Sequence, residues 1–333
     1  MMDGIPGVAH GGDLEAARQL FPKAPAPFLD LSTGINPHGY PVPPLGAEVF
    51  ARLPEPAALA RLEALAAERY GAPSAAHVVA APGTQILLPL VAGLVPPGEA
   101  RILGPTYAEH RRAAELAGHA VGEVGAVEGL EGAGLAVLVN PNNPDGRLVE
   151  RRVLLDLTAG LLVVDEAFIE VMPPGASLAG AVGRGGLVVL RSFGKFHGLA
   201  GVRLGFALAE PKVVERLRAR LGPWAVSGPA IAAGMKALGD TVWAEAMRGR
   251  LAAEAARLDA LLGRHGLEVI GGTALFRLAR GPEGVFAGLG RQGVLVRRFE
   301  GRPGLLRFGL PGDEPGWERL GRALDGCSAG RGG

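Results

Sequence analysis

The sequence predicts an α/β protein: a large, mostly parallel sheet domain with helices on both faces, joined to a small α+β domain. Three observations predict it. Between Ala100 and Ala209, short apolar runs of strand length alternate with stretches of helical spacing, the pattern of parallel strands joined by crossover helices. From Pro211 to Leu262 three helical stretches succeed one another without a strand between them. After Gly266 the texture changes to short strand-like runs separated by two helices.

Taken in order, residues 1–45 are rich in Gly and Pro and read as an extended arm with one short helix near Asp13–Leu20. An arm of that length is expected to pack on the small domain. Ala57–Arg69 carries Leu59, Leu62 and Leu65 on one side of a helix. The mostly apolar Gly83–Val95 is a second helix. Strands are expected at Ala100–Leu103, Ala120–Val124, Leu135–Asn140, Leu161–Asp165, Gly186–Ser192 and Val202–Ala209, with helices at Ala108–Leu116 and Val149–Leu157. Helices Pro211–Leu221, Pro229–Leu238 and Thr241–Leu262 come next, the last long enough to tie the large domain to the small one. Strands Leu267–Ile270, Ala274–Leu278, Val294–Phe299 and Leu305–Leu310, with helices Glu283–Gly290 and Glu314–Leu324, complete the small domain. The expected division is an arm over 1–45, a large domain over 46–240 and a small domain over 241–333. The closing SAGRGG is expected to fray.

The bulk numbers narrow the classes. The 333 residues are 48% hydrophobic and 20% charged, with net charge +1, so neither disorder nor a polyanionic partner such as nucleic acid is indicated. The arginines are dispersed among glutamates. A lone Cys327 excludes a disulfide framework and a cysteine zinc site, and the seven histidines lack metal-ligand spacing. No apolar run reaches membrane-spanning length, and residues 1–25 have no apolar signal core. The cytoplasm is the expected compartment.

The chemistry gathers at strand ends, where open α/β sheets collect ligands. Leu190–Gly205, LRSFGKFHGLAGVRLG, offers a hydroxyl, an amine and a guanidinium in Ser192, Lys195 and Arg203. Such a set suits a phosphate-bearing aldehyde: two groups hold the phosphate while the lysine forms the imine. Only four lysines exist, Lys23, Lys195, Lys212 and Lys236, so few can serve. Leu135–Val139 runs into Asn140-Pro-Asn-Asn-Pro-Asp-Gly146, which reads as a turn or as a rigid mount for the Asn143 amide. Leu161–Val164 runs into Asp165-Glu166-Ala167. An acid there is costly unless paired, and a pyridinium nitrogen, a helix cap or an ion pair would each serve. Gly83-Thr84-Gln85 opens a helix and reads as an anion site or an ordinary cap. Tyr107 would stack on a planar ring or fill a gap.

In combination, helix-start GTQ, Tyr107, N-P-x-N-P-x-G, D-E-A-F and S-x-x-K with an arginine eight residues on resemble the fold-type-I pyridoxal-phosphate enzymes of aminotransferase class I/II. The match spans roughly residues 80–210. The resemblance implies pyridoxal 5'-phosphate carried by Lys195, with Asp165 on the ring nitrogen, Asn143 on the phenolic oxygen and Tyr107 against the ring. Gly83, Thr84, Gln85, Ser192 and Arg203 would hold the phosphate. Arg307 in LLRFGL would pair with a substrate carboxylate, and a homodimer is implied. Three positions depart from the pattern: Phe168 stands where a tyrosine is common, Leu53 in RLPEP replaces a tyrosine that reaches a partner subunit, and Asp145 replaces a threonine.

The arm refines this. His10-Gly-Gly-Asp13 and Leu31-Ser-Thr-Gly-Ile-Asn-Pro-His-Gly39, together with D-E-A-F, are similar to the cobalamin-pathway threonine-phosphate decarboxylases, close to histidinol-phosphate aminotransferases. The resemblance implies decarboxylation of O-phospho-L-threonine to (R)-1-amino-2-propanol phosphate, with His10, Asn36 and Arg297 on the substrate side and a downstream cobalamin-pathway enzyme as a possible recipient of the product. Arg297 and Arg298 are adjacent on a strand and face opposite ways, so only one serves. Transamination is the alternative reaction, and a non-catalytic pathway scaffold the alternative of another class. Gly288-Leu-Gly-Arg-Gln-Gly293 matches a dinucleotide loop in letters but comes after a helix and precedes a strand, the reverse of the required context.

Overall fold

A computed structural model describes residues 11–329. His10 and the last residues of SAGRGG lie outside them. The chain runs α1 (Leu14–Leu20), β1 (Leu29–Leu31), α2 (Glu48–Ala51), α3 (Pro56–Tyr70), β2 (Val78–Ala81), α4 (Thr84–Ala92), β3 (Glu99–Leu103), α5 (Glu109–Leu116), β4 (Ala120–Val124) and β5 (Leu135–Val139). It continues with α6 (Arg151–Asp156), β6 (Leu161–Asp165), β7 (Leu187–Ser192), α7 (Phe193–Phe196), β8 (Gly205–Leu208), α8 (Pro211–Leu221), α9 (Gly228–Gly239) and α10 (Thr241–Arg264). Strands β9 (Glu268–Thr273) and β10 (Phe276–Arg280), α11 (Val285–Arg291), β11 (Val294–Arg298), β12 (Leu305–Gly309) and α12 (Glu314–Ala329) close it.

Two compact units result. The larger holds Gly39–Asn143 and Arg147–Ala246; the smaller holds residues 11–38, Pro144–Gly146 and residues 247–329. Helix α10 begins in the larger unit and continues in the smaller.

The larger unit contains a seven-stranded sheet ordered β2-β8-β7-β6-β5-β3-β4. Every pairing is parallel except the two made by β8. The strands alternate between two cores. Ala136, Leu138, Leu162, Val164 and Val189 join α3 and α9 on one face. Leu135, Val137, Val163, Val188 and Leu190 join α4, α5 and α8 on the other. Strands buried on both faces have to be apolar throughout, which is why their sequence is so legible.

Val78–Ala81, not among the expected strands, is a fully buried one. One expected strand is shorter than its sequence suggests. Val202 and Arg203 are not strand residues: Ala200–Val202 is a 3-10 turn, Arg203 is left-handed (φ 56°), and β8 starts at Gly205. A left-handed arginine costs conformational energy, so its surroundings must fix it there.

The smaller unit contains the five-stranded sheet β1-β11-β12-β10-β9. Its first strand comes from the arm: Leu29–Leu31 pairs in parallel with Val294–Val296. Asp13 caps α1 by accepting a hydrogen bond from the Ala16 amide. The glycines of the rejected dinucleotide motif have a packing role, since a Cβ on Gly290 would overlap the Phe21 ring and one on Gly288 would crowd Cys327 Sγ.

Candidate active site

Strand direction gathers the candidate residues of the larger unit. β2, β3, β5, β6 and β7 point the same way, so their carboxyl ends share one edge of the sheet. Those ends lead to Gly83, Tyr107, Asn143, Asp165 and Ser192. Antiparallel β8 brings its beginning to the same edge, with Gly205 opposite both Ala81 and Ser192. Arg203, two residues before Gly205, thereby arrives beside the helix start of α4.

That meeting is tight. Gly83 has φ 86°, and a Cβ on it would lie 2.8 Å from an Arg203 guanidinium nitrogen. A Cβ on Gly205 would come within 2.6 Å of the Thr84 amide nitrogen. Bare glycines thus let the guanidinium rest against the first amides of a nine-residue helix. Both donate to anions, and the helix dipole favours negative charge there. The donor set fits a phosphate. Tyr107 donates its hydroxyl to Gln85 (3.1 Å), and Gln85 in turn donates to Glu109 (2.9 Å).

Asp165 is buried at the end of β6. Its Oδ1 accepts the Ala167 amide (3.0 Å), and its Oδ2 lies 2.9 Å from His110 Nε2. A carboxylate so oriented suits a ring N–H. His110 is buried and meets the Tyr107 ring edge-on. The sequence alone did not single out His110; its i, i+3 spacing from Tyr107 at the start of α5 was the available signal.

The asparagine loop divides its labour. Asn140 exchanges two hydrogen bonds with the Val149 backbone, and Asn142 joins Thr106 and the Pro105 carbonyl. Asn143, half-buried, is mounted by the other two. Lys195 sits in α7, its Nζ 5.7 Å from the centre of the buried Phe168 ring. Behind this edge, Arg191 pairs with Glu166 (3.1 Å) and Glu170 (3.0 Å) and lies over Tyr70. Ser177 and the Leu178 amide also bond Glu166. The sequence did not reveal this buried cluster, because its members lie up to 121 positions apart.

In the smaller unit, Arg307 is buried and donates to the Ser32 carbonyl (2.7 Å). Burial and then the nearby Arg297 push its guanidinium down to about 10, partly opposed by Asp30. Arg297 and Arg307 are direct partners across β11 and β12, and direct partners share a face. Arg298 takes the other face, over the Phe286 ring. Asn36 is buried, its side-chain oxygen accepting the His38 amide (2.8 Å). Among the described residues no group of three or more His, Cys, Asp or Glu side chains is placed to hold a metal ion, and no helix is long and apolar enough to cross a membrane.

The sheet order, the lysine turn and the acid at the end of β6 define a class, and residues 46–324 match the family model for aminotransferase class I and II, so the chain belongs to that family. Within it, the chain is 42% identical to a threonine-phosphate decarboxylase of Pseudomonas aeruginosa, over 95% of this chain and 96% of that one. It is 40% identical to a threonine-phosphate decarboxylase of a Sinorhizobium species, over 95% and 97%. A histidinol-phosphate aminotransferase from Sinorhizobium meliloti, solved in complex with pyridoxal-5'-phosphate, superimposes with a TM-score of 0.81 at 20% identity, covering 97% of this chain and 96% of that one. That likeness shows the fold. The family and the fold expected from the motifs hold.

Proposed function

We propose that the protein is a pyridoxal-phosphate-dependent carboxy-lyase of cobalamin biosynthesis, converting O-phospho-L-threonine to carbon dioxide and (R)-1-amino-2-propanol phosphate. The observation that carries the reading is identity of 40–42% to threonine-phosphate decarboxylases over nearly the whole length of both chains, with Lys195, Asp165, Asn143 and Arg203 intact. Bound pyridoxal phosphate supplies a sink for the electron pair left at Cα when the bond to the carboxylate breaks.

The chain's own groups do the rest. Lys195 attaches the cofactor and delivers a proton to Cα after carbon dioxide leaves. Asp165, aimed by the Ala167 amide and His110, keeps the ring nitrogen protonated. Asn143 would donate to the phenolic oxygen and Tyr107 would pack on the ring. The Gly83-Thr84-Gln85 turn, Ser192 and Arg203 hold the cofactor phosphate. Phe168 presents a ring where a tyrosine would donate a further hydrogen bond. Arg307 takes the substrate carboxylate as a planar, two-pronged donor, Arg297 the substrate phosphate, and Asn36 lines the substrate side. A homodimer accounts for the large apolar side chains left in water on and near α2 and α9: Phe50, Leu53 and Trp224 are 68%, 66% and 54% exposed.

The same donors would serve transamination, and the fold-level likeness to a histidinol-phosphate aminotransferase makes that the second reading. The two separate in one assay. Holoenzyme given O-phospho-L-threonine without any 2-oxo acid should release carbon dioxide stoichiometrically with substrate loss. No release, together with amino transfer from histidinol phosphate to 2-oxoglutarate, overturns the decarboxylase. A protein that takes up no cofactor and stays colourless would instead be a scaffold.

A further inference from the structure

Helix α7, which carries Lys195, is only four residues long and has no side-chain N-cap. Gly194, Gly198 and Gly201 surround it. A single isolated turn does not hold itself, because nucleation fixes several dihedrals for one hydrogen bond. The position of the lysine therefore depends on the groups packed around the turn.

Those groups form an aromatic stack. The Phe193 and His197 rings are parallel (4.4 Å between centroids, 19°), and His197 is parallel to Trp243 (5.7 Å, 12°). Phe196 meets both His197 and Trp243 edge-on, at 5.3 and 5.6 Å. His197 Nδ1 lies 3.1 Å from the Phe193 carbonyl, across the turn. Phe193, Phe196 and His197 are all buried. Trp243 is itself fixed. Its backbone amide donates to Asp240 Oδ1 (2.9 Å), and the Tyr40 ring meets it edge-on at 5.1 Å. The Tyr40 amide then donates to the His197 carbonyl (2.8 Å), and Gly39 runs so close that a Cβ there would lie 3.2 Å from the Gly198 carbonyl. One of only three tryptophans and one of only three tyrosines in the chain are thus committed to the turn behind Lys195.

We infer that His197 and Trp243 are positioning residues for Lys195: the Phe193–His197–Trp243 stack, closed by Tyr40, holds the α7 turn so that the amine projects from the sheet edge at a fixed angle. The inference rests on Lys195 carrying the cofactor. Trp243 lies in the first turn of α10, whose later turns belong to the other unit. Offset aromatic pairs contribute beyond their buried area, and loss of the central partner leaves the turn with its edge contacts alone.

The test compares Trp243→Leu, which removes the ring, with Trp243→Phe, which keeps a stacking face; His197→Leu and His197→Phe form a second pair should the first leucine variant fail to fold. Three readouts are taken on each holoenzyme: the pH midpoint of the visible absorbance of the lysine-bound cofactor, backbone amide exchange across residues 193–203, and kcat and KM for O-phospho-L-threonine. The expected result for the leucine variants is a displaced absorbance midpoint, amide exchange in the turn faster by about tenfold, and kcat lower by about tenfold with KM changed less than about threefold, since misplacement of a reacting group acts on the chemical step. The phenylalanine variants should restore all three. A leucine variant that loses thermal stability yet keeps the wild-type midpoint, exchange and kcat overturns the inference. Absence of the visible band in wild-type protein, or its survival in Lys195→Ala, overturns the underlying reading instead.

Discussion

Two buried arginines, one in each unit, have opposite surroundings. Arg191 in the larger unit meets two carboxylates, Glu166 and Glu170, and the face of Tyr70. Burial pulls its proton affinity down, but Glu170 and Glu166 outweigh it, and the net shift is upward. Arg307 in the smaller unit is equally removed from water, yet burial and Arg297 both act against its charge, and its value falls to about 10. The first guanidinium is neutralised by the protein and is part of the core. The second has Arg297 acting against its charge and Asp30 in its favour, and the net shift is downward. Burial alone does not set the direction of such a shift; the sign of the neighbouring charges does.

Arg191→Met leaves Glu166 and Glu170 buried without their cation and should cost about 3–5 kcal/mol of stability, read as a lower denaturant midpoint at unchanged m. A loss below about 1 kcal/mol would mean that the cluster is not the core element described. Arg307→Met should do the reverse. Its unfolding midpoint should hold or rise, because burial and Arg297 both act against the charge removed, while, on the proposed role in binding the substrate carboxylate, kcat/KM falls about a hundredfold through a loss of charge-assisted hydrogen bonds worth about 2–3 kcal/mol. If stability falls as it does for Arg191→Met, the contrast between the two sites is wrong.

A smaller effect sharpens the assignment within β11. Arg297→Met should raise KM about tenfold, whereas Arg298→Met, on the opposite face against Phe286, should leave it within about threefold. Equal effects would contradict the register of β11 on β12. The smallest effect concerns Glu63, an intermediate case. This carboxylate is buried, accepts the Ala80 amide (3.0 Å) and pairs with the half-exposed Arg218 (2.9 Å). Burial, the largest influence, raises it above its ordinary 4.5 despite both partners. The folded protein therefore holds this proton more tightly than the unfolded chain does. Its stabilising contribution is full below pH 4.5 and is lost as pH rises through the raised value. Glu63→Gln should flatten that decline in a pH series of thermal midpoints; an unchanged slope would assign the decline elsewhere.

Much of the fold, and the strand ends at which the candidate residues stand, was legible beforehand. Strands such as Leu135–Val139 and Leu161–Asp165, covered on both faces, have no alternative to being apolar, and the residues at their ends stand out by contrast. Other features left little mark. β1 is three residues long, below the length at which alternation shows. Arg203 comes after one apolar run and precedes another, so it reads as strand; nothing in an arginine's identity announces a positive φ. His110 and Asp165 are 55 positions apart, and only the adjacency of α5 to the sheet joins them.

Residue patterns alone carry the layer architecture and the family, because hydrophobic periodicity and motif spacing are local properties of the chain. Tertiary structure decided the rest. The antiparallel β8 delivers Arg203 to Gly83 at the start of α4. Cross-strand register selects Arg297 over Arg298 as the partner of Arg307. The carboxylates around Arg191 and the arginine beside Arg307 move the two guanidiniums in opposite directions, and the rings of Phe193, His197 and Trp243 stack beside a four-residue helix. Each of these depends on which distant residues become neighbours, and the resulting electrostatic and packing energies are set by those distances.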